Sequence, residues 1–212
     1  MHWISRLYSA RRAWPALAAL AVAALALPAY AHRIEKHYPV DGKPVVVLRN
    51  ANGHVEIKSW SKPEVMVVGD HGSSNVEIDA EQAGQRVEIV TRVLNPSAKP
   101  TDLQADFQIT VPEETQLQIK TESGNILVDS VHGDMTLETI AADVNLQHVS
   151  GFLKVNTAEG TIICTECDGH FEATSVSGNI QLLRPVMSYV QVHTTAGNIF
   201  FDGDFVSHGL YY

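Results

Sequence analysis

Cys164 and Cys167 are the only cysteines in the chain, and His170 follows three residues later in "CTECDGH". Two thiols at this spacing beside an imidazole are the groups of a dithiol redox centre or of half a zinc site. A redox motif of that kind sits between a strand and a helix, and a structural zinc needs a second ligand pair. Neither accompanies these residues. The remaining candidates are dispersed. The nine histidines beyond residue 31 form no H-x-H or H-E-x-x-H pattern. What the cysteines do therefore depends on the elements that hold them.

Those elements repeat. From Gln116 the chain reads "QLQIKTESGNILVDSVHG", "DMTLETIAADVNLQHVSG", "FLKVNTAEGTIICTECDG" and "HFEATSVSGNIQLLRPVM", each 18 residues long. A fifth unit, "YVQVHTTAGNIFFDGDF", follows one extra residue, Ser188. Position two holds Leu117, Met135, Leu153, Phe171 and Val190, and position eleven holds Ile126, Val144, Ile162, Ile180 and Ile199. Position nine holds Gly124, Ala142, Gly160, Gly178 and Gly197, which suits turns requiring positive φ. Alternation of apolar and polar residues within each half-unit marks strands, with positions two, four, eleven and thirteen turned inward. Two strand-turn halves per unit predict an all-β fold, a single-stranded parallel β-solenoid (β-helix or β-roll) with 18-residue coils. One coil buries too little to stand alone, so neighbouring coils must supply ladder hydrogen bonds and a shared core.

The earlier segment reads as degenerate coils of the same kind. "VVVLRNANGHVEIKSW" places Val46, Leu48, Gly53, Val55 and Ile57 in the same columns, with Trp60 in the place of Val131. "EVMVVG", "NVEID" and "RVEIVTRV" supply further strands. "LNPSAKPTDLQ" is a polar loop, and "HRIEKHYPVDGKP" reads as a polar N-terminal cap. "HGLYY" leaves either an open edge strand or a chain that continues beyond Tyr212.

Residues 1–31 read as a secretory signal peptide: Arg6, Arg11 and Arg12, then the short apolar run "AWPALAALAVAALALP", then a small-x-small site ending at Ala31. The mature domain is then residues 32–212, regular from about 116, with no transmembrane segment. Of the 15 Lys+Arg, three lie in the leader, which contains no acid; 12 remain against 24 Asp+Glu. This acidic balance offers no footprint for nucleic acid.

"VPEETQLQIKTESGNILVDSVHGDMTL" resembles the bacterial putative-adhesin family, exported proteins of unknown function with Ser-Gly-Asn/Asp-Ile repeats, and "NANGHVEIKSWSKPEV" looks like that family's N-terminal coil. The likeness spans about residues 45–205. It implies a β-solenoid at the cell envelope, periplasmic or surface-associated, and carries over no catalytic residue. Ala142 in the glycine column and the missing glycine near Met187 depart from the pattern.

An active site on such a stack would appear as carboxylates or bases clustered in adjacent outward columns. The columns instead suggest cross-strand pairs such as Lys120 with Glu138 and Lys154 with Glu172. No enzyme activity, cofactor or metal is expected. The outward column Leu127, Asn145, Ile163, Gln181 and Phe200 is the candidate binding face. The expected function is a non-catalytic envelope or surface module that binds a macromolecule, an envelope glycan or protein. A structural or signalling partner in envelope-stress sensing is the alternative, with a polysaccharide-active enzyme behind it. Within this frame Cys164 joins the column of Val128, Leu146 and Leu182, and Cys167 that of Val131 and Val149. Buried apolar roles are expected for both, with a local disulfide after export, or metal or redox chemistry, as the alternatives.

Overall fold

The computed structural model describes residues 32–212, so the leader read at residues 1–31 lies outside the described residues. They are all-β, with 15 strands in one open sheet. Among the described residues there is one 3-10 turn, Pro100–Leu103, and no helix long and apolar enough to cross a membrane. The first strands are β1 (His32–Pro39), β2 (Val45–Trp60), β3 (Glu64–His71), β4 (Val76–Ala83), β5 (Arg86–Val93) and β6 (Ala105–Pro112). The repeat region contributes β7 (Gln116–Asp129), β8 (Met135–Gln147), β9 (Ser150–Glu159), β10 (Ile162–Thr165) and β11 (Asp168–Ser177). β12 (Ile180–Leu183), β13 (Val186–Thr194), β14 (Ile199–Asp202) and β15 (Leu210–Tyr211) complete it.

The long strands β2, β7 and β8 each serve two ladders. Met135–Ala141 of β8 pairs with β9, whereas Val144–Gln147 pairs with β10. One ladder therefore runs β4-β5-β2-β7-β8-β9-β11-β13-β15, and the other β1-β3-β6-β2-β7-β8-β10-β12-β14. From β7 onward every pairing is parallel. Leu117 sits on Met135, then Leu153, Phe171 and Val190. Ile126 sits on Val144, then Ile162, Ile180 and Ile199. The offset stays at one repeat unit until Gly169/His170, where the register shifts opposite Met187 and Tyr189; Ser188 is the bulged residue.

Alternation decides what is inside. In β7, Leu117, Ile119, Thr121, Ile126 and Val128 are buried, while Gln118, Lys120 and Glu122 are exposed. Inward residues of both ladders form a single core, with Leu48, Phe107, Ile119, Met135 and Phe171 among its largest fully buried side chains. The threonine column is also inward: Thr121, Thr139, Thr157 and Ser175 are buried, and Thr139 Oγ1 donates to Thr157 Oγ1 at 2.8 Å. Thr157 in turn donates to the Glu159 carbonyl.

The glycine column has two causes rather than one. Gly53, Gly124 and Gly160 have φ of 132°, 114° and 110°, in the region that L side chains rarely adopt. Gly178 and Gly197 have no such φ, yet a Cβ at either would collide with the carbonyl of the glycine one coil back. Stacked turns approach too closely there for a side chain. The residue after the column glycine or alanine then caps its neighbour: Asp143 Oδ1 accepts from Thr161 N at 2.7 Å, and Asn179 Oδ1 from Asn198 N at 2.9 Å.

The N-terminal part departs from the expected coils. β2 does stand in the stack register, with Val46 on Leu117, Gly53 on Gly124 and Ile57 on Val128. The segments around it do not coil. β3 pairs antiparallel with β6, β1 pairs antiparallel with β3, and β4 with β5 form an antiparallel hairpin. The expected polar N-terminal cap is thus, over His32–Pro39, an edge strand. The reason is turn length: two residues, Gly84 and Gln85, join β4 to β5, with Gly84 at φ 62°, which reverses the chain instead of carrying it to the opposite ladder. The polar loop 94–104 crosses from β5 in one ladder to β6 in the other.

Candidate binding faces

Cys164 and Cys167 are both fully buried and joined to each other as a disulfide. In the two preceding repeat units the same two positions hold Val128 and Val131, then Leu146 and Val149, all buried. The bond therefore spans a corner where other coils make an apolar contact. With both sulfurs consumed and out of solvent, neither thiolate is available to a metal or a substrate. Among the described residues no three His, Cys, Asp or Glu side chains gather as a metal-binding group.

The outward column is continuous in space. Leu127 pairs with Asn145, Asn145 with Ile163, Ile163 with Gln181, and Gln181 with Phe200. The first four are half-buried by their neighbours, and Phe200 is 53% exposed. Two residues on, the parallel column Asp129, Gln147, Thr165 is also half-buried, and Gln147 Nε2 donates to Asn145 Oδ1 at 3.3 Å. The face is thus a flat strip in which amides and apolar side chains alternate along the stack. Its position follows from parity alone, because Ile126, Val128 and their counterparts turn inward.

A second row lies at the corner beyond that face, and the columns of residue types do not reveal it. Ser130, His148, Glu166 and Arg184 all have positive φ, of 59°, 52°, 53° and 49°. Their amides donate to the next coil, Ser130 N to Gln147 O and His148 N to Thr165 O at 3.0 Å. Their side chains form a chain of charge. His148 Nδ1 lies 3.0 Å from Asp129 Oδ1 and its Nε2 lies 3.3 Å from Glu166 Oε2. Arg184 donates from both Nε and Nη2 to Glu166 Oε1, at 3.0 and 2.8 Å. The hydrogen bond to Asp129 raises the His148 pKa, and the same bond lowers that of Asp129. Hydrogen bonding from Arg184 lowers the Glu166 pKa. Each charge has a partner, so the row links neighbouring strands of the stack.

A third row runs along the other ladder. Phe152 stacks on His170 at 4.5 Å, His170 on Tyr189 at 4.0 Å with planes 6° apart, and Tyr189 meets Tyr212 at 5.9 Å. His170 Nε2 is 3.0 Å from Glu172 Oε1, so Glu172 engages its own strand here. The expected pair Lys120–Glu138 does form, at 3.4 Å between exposed groups. Phe152, His170 and Tyr189 stack face on face and Tyr212 is tilted against Tyr189, so the row is an aromatic ladder that ties the strands together. The signal was present in position one of the repeat, which reads Asp134, Phe152, His170, Tyr189 once the bulge at Ser188 is allowed for.

Residues 46–209 match the Toastrack DUF4097 family. No curated protein matches the chain. Two solved structures are similar over most of it. One is a putative cell adhesion protein from Clostridium sporogenes, 8% identical over 82% of this chain and 100% of that one, with a TM-score of 0.45. The other is a putative adhesin from Parabacteroides merdae, 10% identical over 80% of this chain and 95% of that one, with a TM-score of 0.24.

Proposed function

The chain belongs to the Toastrack DUF4097 family, and on that premise we propose that it is an exported, non-catalytic module of the cell envelope that holds a macromolecule along one sheet face, an adhesin-like role. We read its stacked parallel strands as a single-chain β-solenoid, one coil per repeat unit, working at the periplasmic or cell surface as a rigid ruler. The observation that carries the reading is the continuous column Leu127, Asn145, Ile163, Gln181 and Phe200. With rungs about 4.8 Å apart, its amides recur every 9–10 Å or so, a spacing that serves a linear polymer better than a small molecule. In the flanking column Gln147 and Thr165 are uncharged and Asp129 is paired with His148, and the acidic balance of the chain disfavours anionic polymers. A neutral envelope glycan is the ligand class that fits best.

Retention on immobilised neutral envelope glycans tests this, with capture from an envelope extract as a second arm. The wild-type protein should be retained, and Ile163→Glu combined with Gln181→Ala should abolish retention while the far-ultraviolet spectrum stays unchanged. Wild-type protein that binds neither matrix, or binding that survives the double substitution, overturns the reading.

A further inference from the structure

The arginines of this acidic chain are matched by carboxylates, with one exception. Among the described residues Arg33 pairs with Asp70, Arg49 with Glu88, Arg92 with Asp79 and Arg184 with Glu166. Arg86 is the remaining arginine. It is half-buried, yet its guanidinium forms neither an ion pair nor a hydrogen bond among the described residues. Residues 1–31 contain no Asp or Glu that could serve it. A guanidinium drawn partly out of water without an anion gives up hydration that a bound anion would replace.

Arg86 opens β5 on the outward side of the ladder in which β5, β2, β7 and β8 are consecutive rungs. With Arg49, Lys120, Gln118, Thr136 and Val47 it lines a cleft of about 300 Å³. Register explains the gathering. Arg49 pairs with Lys120, so two like charges occupy neighbouring rungs, an arrangement that costs a sheet stability. Two residues away on the same side, Val47 pairs with Gln118 and Gln118 with Thr136. Val47 faces outward, since Val46 and Leu48 are core, yet it is only 4% exposed. The long side chains around it roof it over and give the cleft an apolar floor. Arg49 and Lys120 each hold one carboxylate, Glu88 at 3.3 Å and Glu138 at 3.4 Å. Three cations against two acids leave one positive charge. Glu81 lines the adjoining cleft, which Arg86 also borders, and forms no ion pair with it. Charges more than about 8 Å away are screened at physiological ionic strength, so the acidic total of the chain does not govern this spot.

We infer that this cleft binds an acidic sugar, a uronate, through its carboxylate. The unengaged guanidinium fork of Arg86 matches a planar carboxylate, and Arg49 and Lys120 add their field. Gln118 and Thr136 make no side-chain hydrogen bond among the described residues, so both are available to the sugar's hydroxyls. Val47 meets the apolar face of the ring. One positive charge balances one carboxylate but falls short of a phosphate monoester, which carries about two negative charges at neutral pH. The volume lies at the lower end of small-ligand sites, which suits a single sugar unit. The cleft is on the opposite ladder from the Leu127 column, so it does not rest on the neutral-glycan reading.

Titration of the isotope-labelled protein with glucuronate, followed by amide chemical shifts, tests this, with glucose and acetate as paired probes. Glucuronate should shift the amides of Val47, Arg49, Arg86, Gln118 and Lys120 saturably, and added sodium chloride should weaken its binding. Glucose lacks the charge and acetate lacks the hydroxyls, so each should bind about tenfold more weakly or worse. Arg86→Gln should weaken glucuronate by about tenfold or more. Arg86→Lys keeps the charge and the apolar stem but not the fork, and should recover only part of the loss. Lys99→Gln, on the loop 94–104, should change nothing. The same spectra report whether each variant is folded. No saturable shift, shifts confined to other residues, glucose or acetate binding as tightly as glucuronate, or affinity unchanged by Arg86→Gln would each overturn the inference. Ile163→Glu with Gln181→Ala should leave glucuronate binding intact, so failure here and failure of the neutral-glycan reading are read separately.

Discussion

Replacing single glycines should separate the two causes of the glycine column. A Cβ at Gly178 would overlap the Gly160 carbonyl, 3.0 Å from its carbon and 2.9 Å from Ser175 Oγ, with no unusual φ to relieve. Gly84 is the converse case: φ is 62° and nothing lies within 4 Å. Gly124 combines both, at φ 114° with a Cβ 2.8 Å from the Gly53 carbonyl carbon. Gly84→Ala should then cost about 1–2 kcal/mol, the strain of a left-handed L residue. Gly178→Ala should cost about 1–3 kcal/mol or more, because the turns must separate and neighbouring rungs must follow. Gly124→Ala should cost roughly the sum, about 2–5 kcal/mol, a large share of the 5–15 kcal/mol that holds an ordinary domain together. Urea unfolding of the three variants measures this, with midpoint and slope fitted together so that loss of cooperativity is seen. Gly178→Ala within about 0.5 kcal/mol of wild type would refute the close-approach argument. Ala142 marks the natural limit: it occupies the same column, 1% exposed, where the chain has settled around a methyl group.

Three further outcomes follow from buried or paired groups. Among the described residues Ser175 Oγ is buried without a hydrogen-bond partner, so Ser175→Ala should be neutral or stabilise by up to about 1 kcal/mol, whereas Thr157→Ala, which breaks a buried chain of two hydrogen bonds, should cost about 1–2 kcal/mol; thermal unfolding of both variants checks the contrast, and equal losses would sink it. Replacing Cys164 and Cys167 together with Val should leave the fold intact and lower stability by about 2 kcal/mol, the chain-entropy value for so short a loop, visible as a lower unfolding midpoint against oxidised wild type. For pH, the raised His148 pKa adds stability that is complete below the ordinary imidazole value of about 6.5 and is lost as pH rises through the raised value, while the lowered values of Asp129 and Glu166 add stability that is lost as pH falls through them. The corner row should therefore contribute most between about pH 4 and about pH 6.5, and His148→Gln should flatten the difference in urea midpoint between about pH 5.5 and about pH 8; an unchanged difference would show that the row does not couple to folding. His37, beside Glu64 and Glu35, shifts in the same direction and stays as background in both proteins.

The parts legible from residues alone were those set by local alternation. Parity along each half-unit picks out Leu117, Ile119, Ile126 and Val128 as inward and Leu127 as outward, and the columns they form coincide with the pairing register of β7, β8 and β10. β2 could be placed against β7 for the same reason, although Val46 and Leu117 are distant in sequence, with β3 to β6 between them. Strand direction could not be read this way. "EVMVVG" and "RVEIVTRV" alternate as well as any coil strand, yet β3 runs antiparallel to its neighbours because the connection before it reverses the chain. The corner row escaped for a different reason. Ser130, His148, Glu166 and Arg184 share a backbone conformation and no chemistry, so no column of residue types marks them.

By itself the sequence determined the repeat period, the inward and outward columns and the burial of both cysteines, because each depends on side-chain parity or on the space a glycine leaves. Only the tertiary structure decided the antiparallel hairpins flanking β2, the bulge at Ser188, the charge chain through His148 and the Cys164–Cys167 bond. Those features depend on which groups are brought within about 3 Å of one another across coils, and hydrogen bonds and ion pairs form or fail over distances that short. A residue's type states what it can bond, and its neighbours one coil away settle whether it does.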